Sequence, residues 1–488
     1  MSDNPPSPQG IFAPSINCRN VAKADHASVI IDGEQYFAHL QQALERAEKQ
    51  IVFIGWDFDT RVKMGGGHEG PSLRHFIVGL LRKNKSLRIY ILKWNFGAFK
   101  ILFRGRMILT ILRWMISDRL RIKFDSTHPI GASHHQKLVV IDGSLAFCGG
   151  IDATSGRWDT RDHADSDPRR LSPDGDPAEP WHDLSMVFDG PAAEQVHEVA
   201  SERWENATGK PLPKISKVVA WPFEESTFEN VGVALARTRC EFRKANSIRE
   251  SEALFLDMIA SARHFLYAEN QYFASRAIAA AIAHRLQEND PPEFVIVMPE
   301  KADGWLEQVA MDTARSQLVA MIEKVDSKRR FRIYHPFTKG GTAIYVHAKL
   351  TIVDDRIIRI GSSNMNNRSL GFDSECDAAI DAEATGGQLV SAKIKAIRES
   401  LLGEHLGHEP GKIASMIGES SMIDVIEKLR HNGRSLRPYT LEESADLAEF
   451  VASQNLLDPV GEDEPAFEAL TARKRWRDRI KSRMGKGK

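Results

Sequence analysis

The chain has 488 residues, 42 % of them hydrophobic and 27 % charged, which is the composition of a globular protein with a large core. Its formal net charge of −1 gives no overall positive field for nucleic acid, so any anion-binding site must be local. The four cysteines form no C-x-x-C pair and lie in no Cys/His cluster. This predicts reduced, buried thiols and no metal site.

Residues 1–27 are rich in Pro, Ser and Asn and predict a loose arm without the apolar core of a secretory signal. The most apolar stretch, 99–116, is interrupted by four basic residues and is too charged to span a bilayer. It could form a helix that lies at a membrane interface, but the basic residues leave no clean amphipathic face. We favour a helix that packs on the domain with snorkelling basic side chains. The expected location is therefore cytoplasmic or peripheral to a membrane, and export by a signal-less route stays open.

Strand and helix patterns alternate after the arm. The segment VIID (29–32) indicates a strand, and 34–49 has apolar residues at helical spacing. Short apolar runs rich in β-branched residues then predict strands at 51–59, 87–94, 120–125 and 137–142. Helical segments lie between them, and the polar stretch 160–180 is expected to be a loop. This order is typical of an α/β architecture.

The same order recurs farther along the chain. A helix is predicted at 248–262, followed by strands at 264–273, 293–300, 331–336 and 349–354. The duplication predicts two similar fused α/β/α-sandwich domains with mixed sheets, related by a pseudo-twofold axis, with the active site at their interface. The predicted segments are an arm at 1–27, an N-terminal domain at 28–206, a C-terminal domain at 207–410, and a helical appendage with a basic tail at 411–488.

Each predicted domain contains one H-x-K-x4-D motif. The motifs consist of His135, Lys137 and Asp142, and of His347, Lys349 and Asp354. Residues i and i+2 of a strand share a face, so each histidine projects together with its lysine. Each aspartate lies at the end of its strand, where a carboxylate can bond backbone groups. Glycines follow both motifs at the same spacing, and we expect them to permit close approach of the backbone to an anion.

Together the two motifs would place two imidazoles and two ammonium groups around one phosphate. One neutral histidine can attack phosphorus and form a phosphohistidine, while the other donates a proton to the leaving alkoxide. The lysines offset charge on the non-bridging oxygens, so no metal cofactor is expected. Ser362 and Asn364, just after the second motif, can donate hydrogen bonds to the anion.

Several further segments resemble signatures of the phospholipase D superfamily, in particular its phospholipase D branch. They are AFCGGID (146–152), SGRWDTRDH (155–163), PWHDLSMVFDGPAA (180–193), YAENQYF (267–273) and IGSSNMNNRSLGFDSE (360–375). The resemblance covers about residues 28–410.

The resemblance implies a role for each motif residue. It makes His135 the nucleophile and His347 the general acid/base, a choice that the spacing alone does not make. The implied phosphate-binding set is Lys137, Lys349, Ser362 and Asn364. Two acids would orient the histidines. Glu375 is assigned to His347, and Asp159 is assigned to His135.

The implied activity is hydrolysis of phosphatidylcholine-like lipids to phosphatidic acid and a free alcohol by a monomer at a membrane surface. The acceptor would be water or, as a side activity, another alcohol. One alternative is a phosphatidyltransferase of the cardiolipin-synthase type, which typically carries N-terminal membrane spans. A nuclease of the superfamily would need a basic groove, and no nucleic-acid partner is expected. A non-catalytic binding protein is disfavoured because both motifs are intact. The tail 473–488, with nine basic residues, fits either lipid contact or a solubilising role.

Overall fold

The computed structural model describes residues 10–65, 70–94, 113–114, 117–215, 218–243, 245–302, 305–418, 420–441 and 458. Two predicted features lie outside the described residues: the apolar stretch 99–116, apart from Arg113 and Trp114, and the basic tail 473–488.

The first half alternates strands and helices in the predicted order. Its elements are β1 (Asn20–Ile31), α1 (Asp32–Glu45), β2 (Gln50–Gly55), α2 (Leu73–Lys83), β3 (Arg88–Trp94), β4 (Leu120–Asp125), β5 (Leu138–Ile141), β6 (Leu145–Gly149), β7 (Trp181–His182), β8 (Leu184–Asp189) and α3 (Gly190–Thr208). Local signals set the helix ends. Ser72 caps α2 by accepting from the backbone N–H of His75. Gly209, in the left-handed conformation, ends α3.

The second half repeats this order. Its elements are β9 (Phe228–Arg239), β10 (Ile248–Arg249), α4 (Glu250–Ser261), β11 (Phe265–Asn270), α5 (Arg276–Arg285), β12 (Glu293–Val297), α6 (Trp305–Glu323), β13 (Phe331–Phe337), β14 (Tyr345–Val346), β15 (Lys349–Val353), β16 (Ile357–Gly361), α7 (Asn367–Gly371), β17 (Glu375–Asp381), α8 (Gly387–Leu406), α9 (Pro410–Ile417), α10 (Met422–Leu429) and β18 (Ser435–Pro438). The predicted boundary at 206/207 falls in the last turn of α3.

One mixed sheet of sixteen strands carries both halves. Its order is β18-β13-β12-β11-β15-β16-β17-β9-β1-β8-β6-β5-β2-β3-β4, with β10 paired to β9. Reading outward from the centre, β1-β8-β6-β5-β2-β3-β4 mirrors β9-β17-β16-β15-β11-β12-β13. Within these two series, the parallel pairings are β2–β3 and β3–β4 on one side and β11–β12 and β12–β13 on the other. The antiparallel β1–β9 pair therefore lies on the pseudo-twofold axis and joins the two sheets edge to edge.

Helices cover both faces of the sheet. On one face a single core contains Val196 of α3 and Leu401 of α8, so the two halves share it. On the other face the halves have separate cores, one around Ile77 of α2 and one around Phe255 of α4. The expectation of two fused α/β/α domains is confirmed. Among the described helices, none combines the length and apolarity needed to cross a membrane.

Two predicted boundaries need correction. The arm is shorter than residues 1–27, because β1 begins at Asn20 and pairs with β9 through Ala27. The sequence NVAKADHA hides this strand, since backbone pairing rather than apolar burial holds it. The appendage is also shorter than 411–488, because β18 pairs with β13 and extends the sheet. Its short sequence SLRP, with a proline at the sheet edge, carries little strand signal.

A buried cluster of histidines and carboxylates joins the halves on one flank. Its members are Asp32, Asp159, His163 and His182 from the first half and Glu269, Glu404 and His405 from the second. His163 contacts Asp159 through Nδ1 (2.9 Å) and Glu404 through Nε2 (3.0 Å). Both ring nitrogens therefore donate to carboxylates. Burial alone would lower the pKa of His163, but the surrounding carboxylates raise it to about 9.

This cluster makes the stability of the protein depend on pH. The cationic form of His163 contributes its full stabilisation below pH 6.5, the ordinary histidine value, and the contribution is lost as the pH rises through about 9. We expect His163→Gln to lower the free energy of unfolding by roughly 3 kcal/mol at pH 6 and by much less at pH 10. Calorimetric melting of both proteins across this range tests the prediction, with His264→Gln, at an exposed histidine, as control. A difference that stays constant with pH would contradict it.

Candidate active site

The two motif histidines meet at one edge of the sheet. His135 precedes β5 and His347 precedes β15, next to the carboxyl ends of β2 and β11. Their ring centroids are 6.5 Å apart, and the ring planes are inclined by 65°. Because β5 and β15 are related by the pseudo-twofold axis, the duplicated motif forms one site rather than two.

Each histidine is held by a carboxylate from the opposite half. The Nδ1 atom of His135 lies 3.1 Å from both carboxylate oxygens of Glu375. The Nδ1 atom of His347 lies 2.7 Å from Oδ2 of Asp183. An Nδ1–H that donates to a carboxylate leaves the Nε2 lone pair available for chemistry. Among the described residues, neither Nε2 atom has a hydrogen-bond partner.

The predicted assignment of these acids is wrong. Glu375 contacts His135 rather than His347, and Asp159 contacts neither motif histidine. Asp159 accepts instead from His163, Arg170 and the backbone N–H of Trp181. The acid that the prediction missed is Asp183.

The register of the repeat could have identified Asp183. Gly149 pairs with Ser185 on β8, as Gly361 pairs with Asp377 on β17. Asp183 and Glu375 each lie two residues before these partners. They are therefore equivalent under the pseudo-twofold axis, in the PWHD and DSE segments.

The two lysines differ in their partners. Lys137 donates to the carbonyl oxygen of His135 (2.9 Å) and forms an ion pair with Asp152 (3.1 Å). Lys349 donates to the carbonyl oxygen of His347 and to the neutral amide of Gln271 (3.3 Å). The positive charge of Lys137 is therefore balanced within the site, whereas the hydrogen-bond acceptors of Lys349 carry no charge.

Ser362 supports the site from behind. Its hydroxyl donates to Glu375 (2.5 Å), and its carbonyl oxygen lies 3.1 Å from Nδ1 of His135. Because Ser362 is fully buried among these partners, its predicted role in binding phosphate is not supported by its position. Asn364 does line the cavity above the histidines, with its amide 3.4 Å from Gln271.

The motif aspartates lie far from the histidines, at the other end of their strands. Asp142 accepts from the backbone N–H groups of residues 48–50, and Asp354 accepts from those of 263–265. Five residues of strand separate Asp142 from Lys137, which is roughly 16 Å at the rise of an extended chain. These carboxylates fix the turns before β2 and β11, so grouping them with the catalytic residues needs correction.

The motif glycines also serve packing. A Cβ atom on Gly150 would lie 2.0 Å from Oδ1 of Asp183, and one on Gly361 would lie 2.0 Å from Oδ1 of Asp377. The close backbone approach predicted at these glycines is therefore to the carboxylates of the neighbouring strand rather than to an anion.

A cavity of about 680 Å³ lies over the two histidines. Its wall combines aromatic rings with polar and charged groups, including Trp56, Trp94, His128, Lys137, Asp152, Arg157, Trp181, Tyr272, Asn364 and Arg368. Such a wall suits a ligand that has both a phosphate and a bulky organic group.

Comparison with known proteins assigns the family. A family model described as Phospholipase D matches residues 117–231 and 315–449, which together form just over half of the chain. The chain belongs to the phospholipase D family. The resemblance seen in the sequence is thereby confirmed.

Curated relatives in the phospholipase D family share about a quarter of their residues with the chain. Phospholipase D A of Dictyostelium discoideum is 27 % identical over 476 residues, which cover 81 % of this chain and 37 % of that protein. Phospholipase D alpha 1 of Brassica oleracea var. capitata is 25 % identical, over 86 % of this chain and 69 % of that protein. The chain thus spans little more than a third of the Dictyostelium relative.

A solved structure shows the same fold. The phosphatidylserine synthase of Haemophilus influenzae Rd KW20 superposes with a TM-score of 0.55 and 11 % identity, covering 83 % of this chain and 95 % of that one. At this identity the likeness concerns the fold alone.

Burial sets the protonation of this phospholipase D family site. It lowers the pKa values of His135 and His347, and the neighbouring cations lower them further. Burial raises the pKa of Asp183 to about 7 and that of Glu375 well above its ordinary value. These shifts favour neutral imidazoles, the form that a nucleophile requires.

The position of the motif aspartates predicts a structural role. We expect Asp142→Asn and Asp354→Asn each to lower the free energy of unfolding by about 2 kcal/mol, because one amide oxygen replaces a carboxylate that accepts three N–H groups. Asparagine tolerates the positive φ of both positions, so backbone strain is unchanged. Melting temperatures and kcat per folded molecule test this. A large loss of kcat at an unchanged melting temperature would show that they act in catalysis.

The crosswise pairing predicts different effects for the two candidate acids. Glu375→Gln should reduce kcat by about 100-fold or more, because an amide does not stabilise an imidazolium as a carboxylate does. Asp159→Asn should lower the melting temperature with little change in kcat, since Asp159 contacts His163 and Arg170. Steady-state kinetics on both variants test the pairing. If Asp159→Asn alone reduced kcat, the crosswise assignment would be wrong.

Proposed function

We propose that the chain is a phospholipase D that hydrolyses the distal phosphodiester bond of phosphatidylcholine-like lipids to phosphatidic acid and a free alcohol. The observation that carries this proposal is the pair of histidine rings 6.5 Å apart, each with Nδ1 on a carboxylate and Nε2 available. Membership of the family, and relatives named phospholipase D, support the same activity.

The first step transfers the phosphatidyl group to one histidine. A neutral imidazole attacks phosphorus through Nε2, and the bond from phosphorus to the head-group oxygen breaks. The second histidine, whose protonated form the bound phosphate anion stabilises, gives that oxygen its proton. We assign the attack to His135, as the family resemblance implies. Its side chain is 16 % exposed against 7 % for His347, which supports approach of a lipid phosphate to it. Lys349 and Asn364 would hold non-bridging oxygens.

The second step returns the enzyme to its starting state. His347, now neutral, takes a proton from water, and the resulting oxygen nucleophile attacks the phosphohistidine. The nitrogen–phosphorus bond breaks, phosphatidic acid leaves, and His347 is again protonated. An alcohol in place of water would give a transferred phosphatidyl group, so transphosphatidylation follows from the same intermediate.

We infer that the substrate is a phospholipid taken from a membrane surface by a monomer without a metal cofactor. The aromatic wall with Trp56, Trp94 and Tyr272 supports a head group of the quaternary ammonium type, because a cation is attracted to the faces of such rings. The buried lysines support charge stabilisation by protein groups. We infer a location that is cytoplasmic or peripheral to the membrane.

An assay with three substrates tests the activity. The protein is incubated with phosphatidylcholine vesicles, phosphatidylglycerol vesicles or single-stranded DNA, each with chelator present. We expect release of choline. Formation of cardiolipin from phosphatidylglycerol would instead indicate a phosphatidyltransferase, and release of nucleotides would indicate a nuclease. No turnover of any phospholipid would reject the proposal.

Histidine variants test the mechanism in the same assay. His135→Ala and His347→Ala should each reduce choline release by about 10⁴-fold or more, with His264→Ala unchanged. On a phosphatidyl ester of p-nitrophenol, whose anion leaves without protonation, His347→Ala should still give a burst of one nitrophenolate per enzyme. His135→Ala should give none. A burst from the His135 variant and none from the His347 variant would reverse the assignment of the nucleophile.

A further inference from the structure

We propose that Arg157 binds the substrate phosphate and that, together with Lys349, it holds the non-bridging oxygens on the side of His347. This inference rests on the proposed function of the site. It adds a third cation to the two motif lysines, from a loop that the H-x-K-x4-D pattern does not include.

Arg157 lies in the wall of the same cavity as the two histidines. Its guanidinium carbon is 3.9 Å from the centroid of the Trp181 ring. That ring in turn lies 5.1 Å from the ring of His347. The indole holds the planar guanidinium by its face, which leaves the N–H edge free to meet an anion.

The hydrogen-bonding capacity of Arg157 is unused. Among the described residues, its side chain makes no hydrogen bond or ion pair, and its Nε atom is buried without a partner. Other buried arginines differ in this respect. Arg203 pairs with Asp125, and Arg359 pairs with Asp377. A guanidinium that is half-buried, stacked and unpaired has its forked donors available for a phosphate, the geometry it recognises best.

The charges around the histidines favour the same conclusion. Lys137 is neutralised by Asp152, and burial lowers the pKa of Lys349 well below its ordinary value. A guanidinium keeps its proton under all these conditions. Arg157 therefore supplies a positive charge that is held in no ion pair among the described residues, although it interacts electrostatically with Asp183. Its charge also contributes to the lowered pKa of His347, as expected for two groups that face one space.

Of the two arginines in the cavity wall, only the one from the first half is without an ion pair among the described residues. Arg157 follows Asp152 by five residues, and the residue five after Asn364 is Ser369, which also lines the cavity. The second half also contributes Arg368 to the cavity wall, but its guanidinium pairs with Asp373 (3.0 Å). A phosphodiester in the site would turn its charged oxygens toward the half of the wall that carries Arg157.

Binding of inorganic phosphate to the intact protein tests this without depending on a lipid. Titration calorimetry compares the wild type with Arg157→Gln, Arg157→Lys and Arg169→Gln. Arg169 is the matched control, since its guanidinium also stacks on an indole (Trp158, 5.2 Å) but pairs with Asp167 outside the cavity. We expect about tenfold weaker phosphate binding in Arg157→Gln. Arg157→Lys should be intermediate, and Arg169→Gln should match the wild type.

Hydrolysis of a short-chain phosphatidylcholine gives a second readout. Arg157→Gln should lower kcat/KM by about 100-fold. Loss of the guanidinium should also raise the pKa of His347, so the limb of the pH–rate profile that belongs to this group moves to higher pH. A purely structural role would change the melting temperature and leave the position of that limb where it is.

The outcomes separate this inference from the proposed function. Wild-type phosphate affinity and an unchanged pH profile in Arg157→Gln would overturn the inference, even if phosphatidylcholine is hydrolysed. If no phospholipid is turned over but phosphate binding falls in Arg157→Gln, the proposed function fails and the anion site stands. If Arg157→Gln does not fold, the comparison of Arg157→Lys with Arg169→Gln decides, and equal phosphate affinity in those two variants would reject the inference.

Discussion

The crosswise hydrogen bonds between the motif histidines and their carboxylates are the constraint on which the rest of the structure depends. His135 takes its carboxylate from Glu375, and His347 takes its own from Asp183, so neither half contains a complete histidine–acid pair. A displacement of one half by an ångström or two would break both contacts. The fold must therefore hold the halves as one body.

Three features of the fold meet this requirement. The β1–β9 pair continues the backbone hydrogen bonding of the sheet across the pseudo-twofold axis. A single apolar core on one face contains residues of both α3 and α8. The buried ionic cluster then links His182 to Glu269, and His163 to Glu404, on the flank. Separating these charges would leave them unpaired in a low dielectric, which is strongly unfavourable. A single sheet with a shared core thus gives a duplicated site the rigidity of one domain.

The sequence predicted what depends on spacing along the chain. The strands before each motif lie close to their predicted bounds, and the two motif histidines meet in one site as the duplication predicts. The sequence did not predict contacts that depend on which strands are neighbours. Asp159 lies near the first motif in sequence and is assigned to His135, but it contacts neither motif histidine. The carboxylate that contacts His347 is Asp183, whose position is set by the pairing of β8 with β6. Asp142 was grouped with its motif, but a strand carries it to the opposite edge of the sheet. The polar start of β1 gave no apolar pattern at all.

Duplication alone would give a site with two equivalent histidines, which is unsuited to a displacement in which one attacks and the other donates a proton. The two halves differ in the charged side chains that surround the two histidines. Asp152 forms an ion pair with Lys137, whereas Asn364, in the equivalent position, is neutral, and Lys349 forms no ion pair among the described residues. Arg157 adds a guanidinium without an ion pair in the described part of the chain, whereas Arg368 of the other half pairs with Asp373. These substitutions leave the backbone symmetry intact and make the field around the histidines asymmetric. A bound phosphodiester would then have one preferred orientation, and each histidine would have a distinct role from the first step onward.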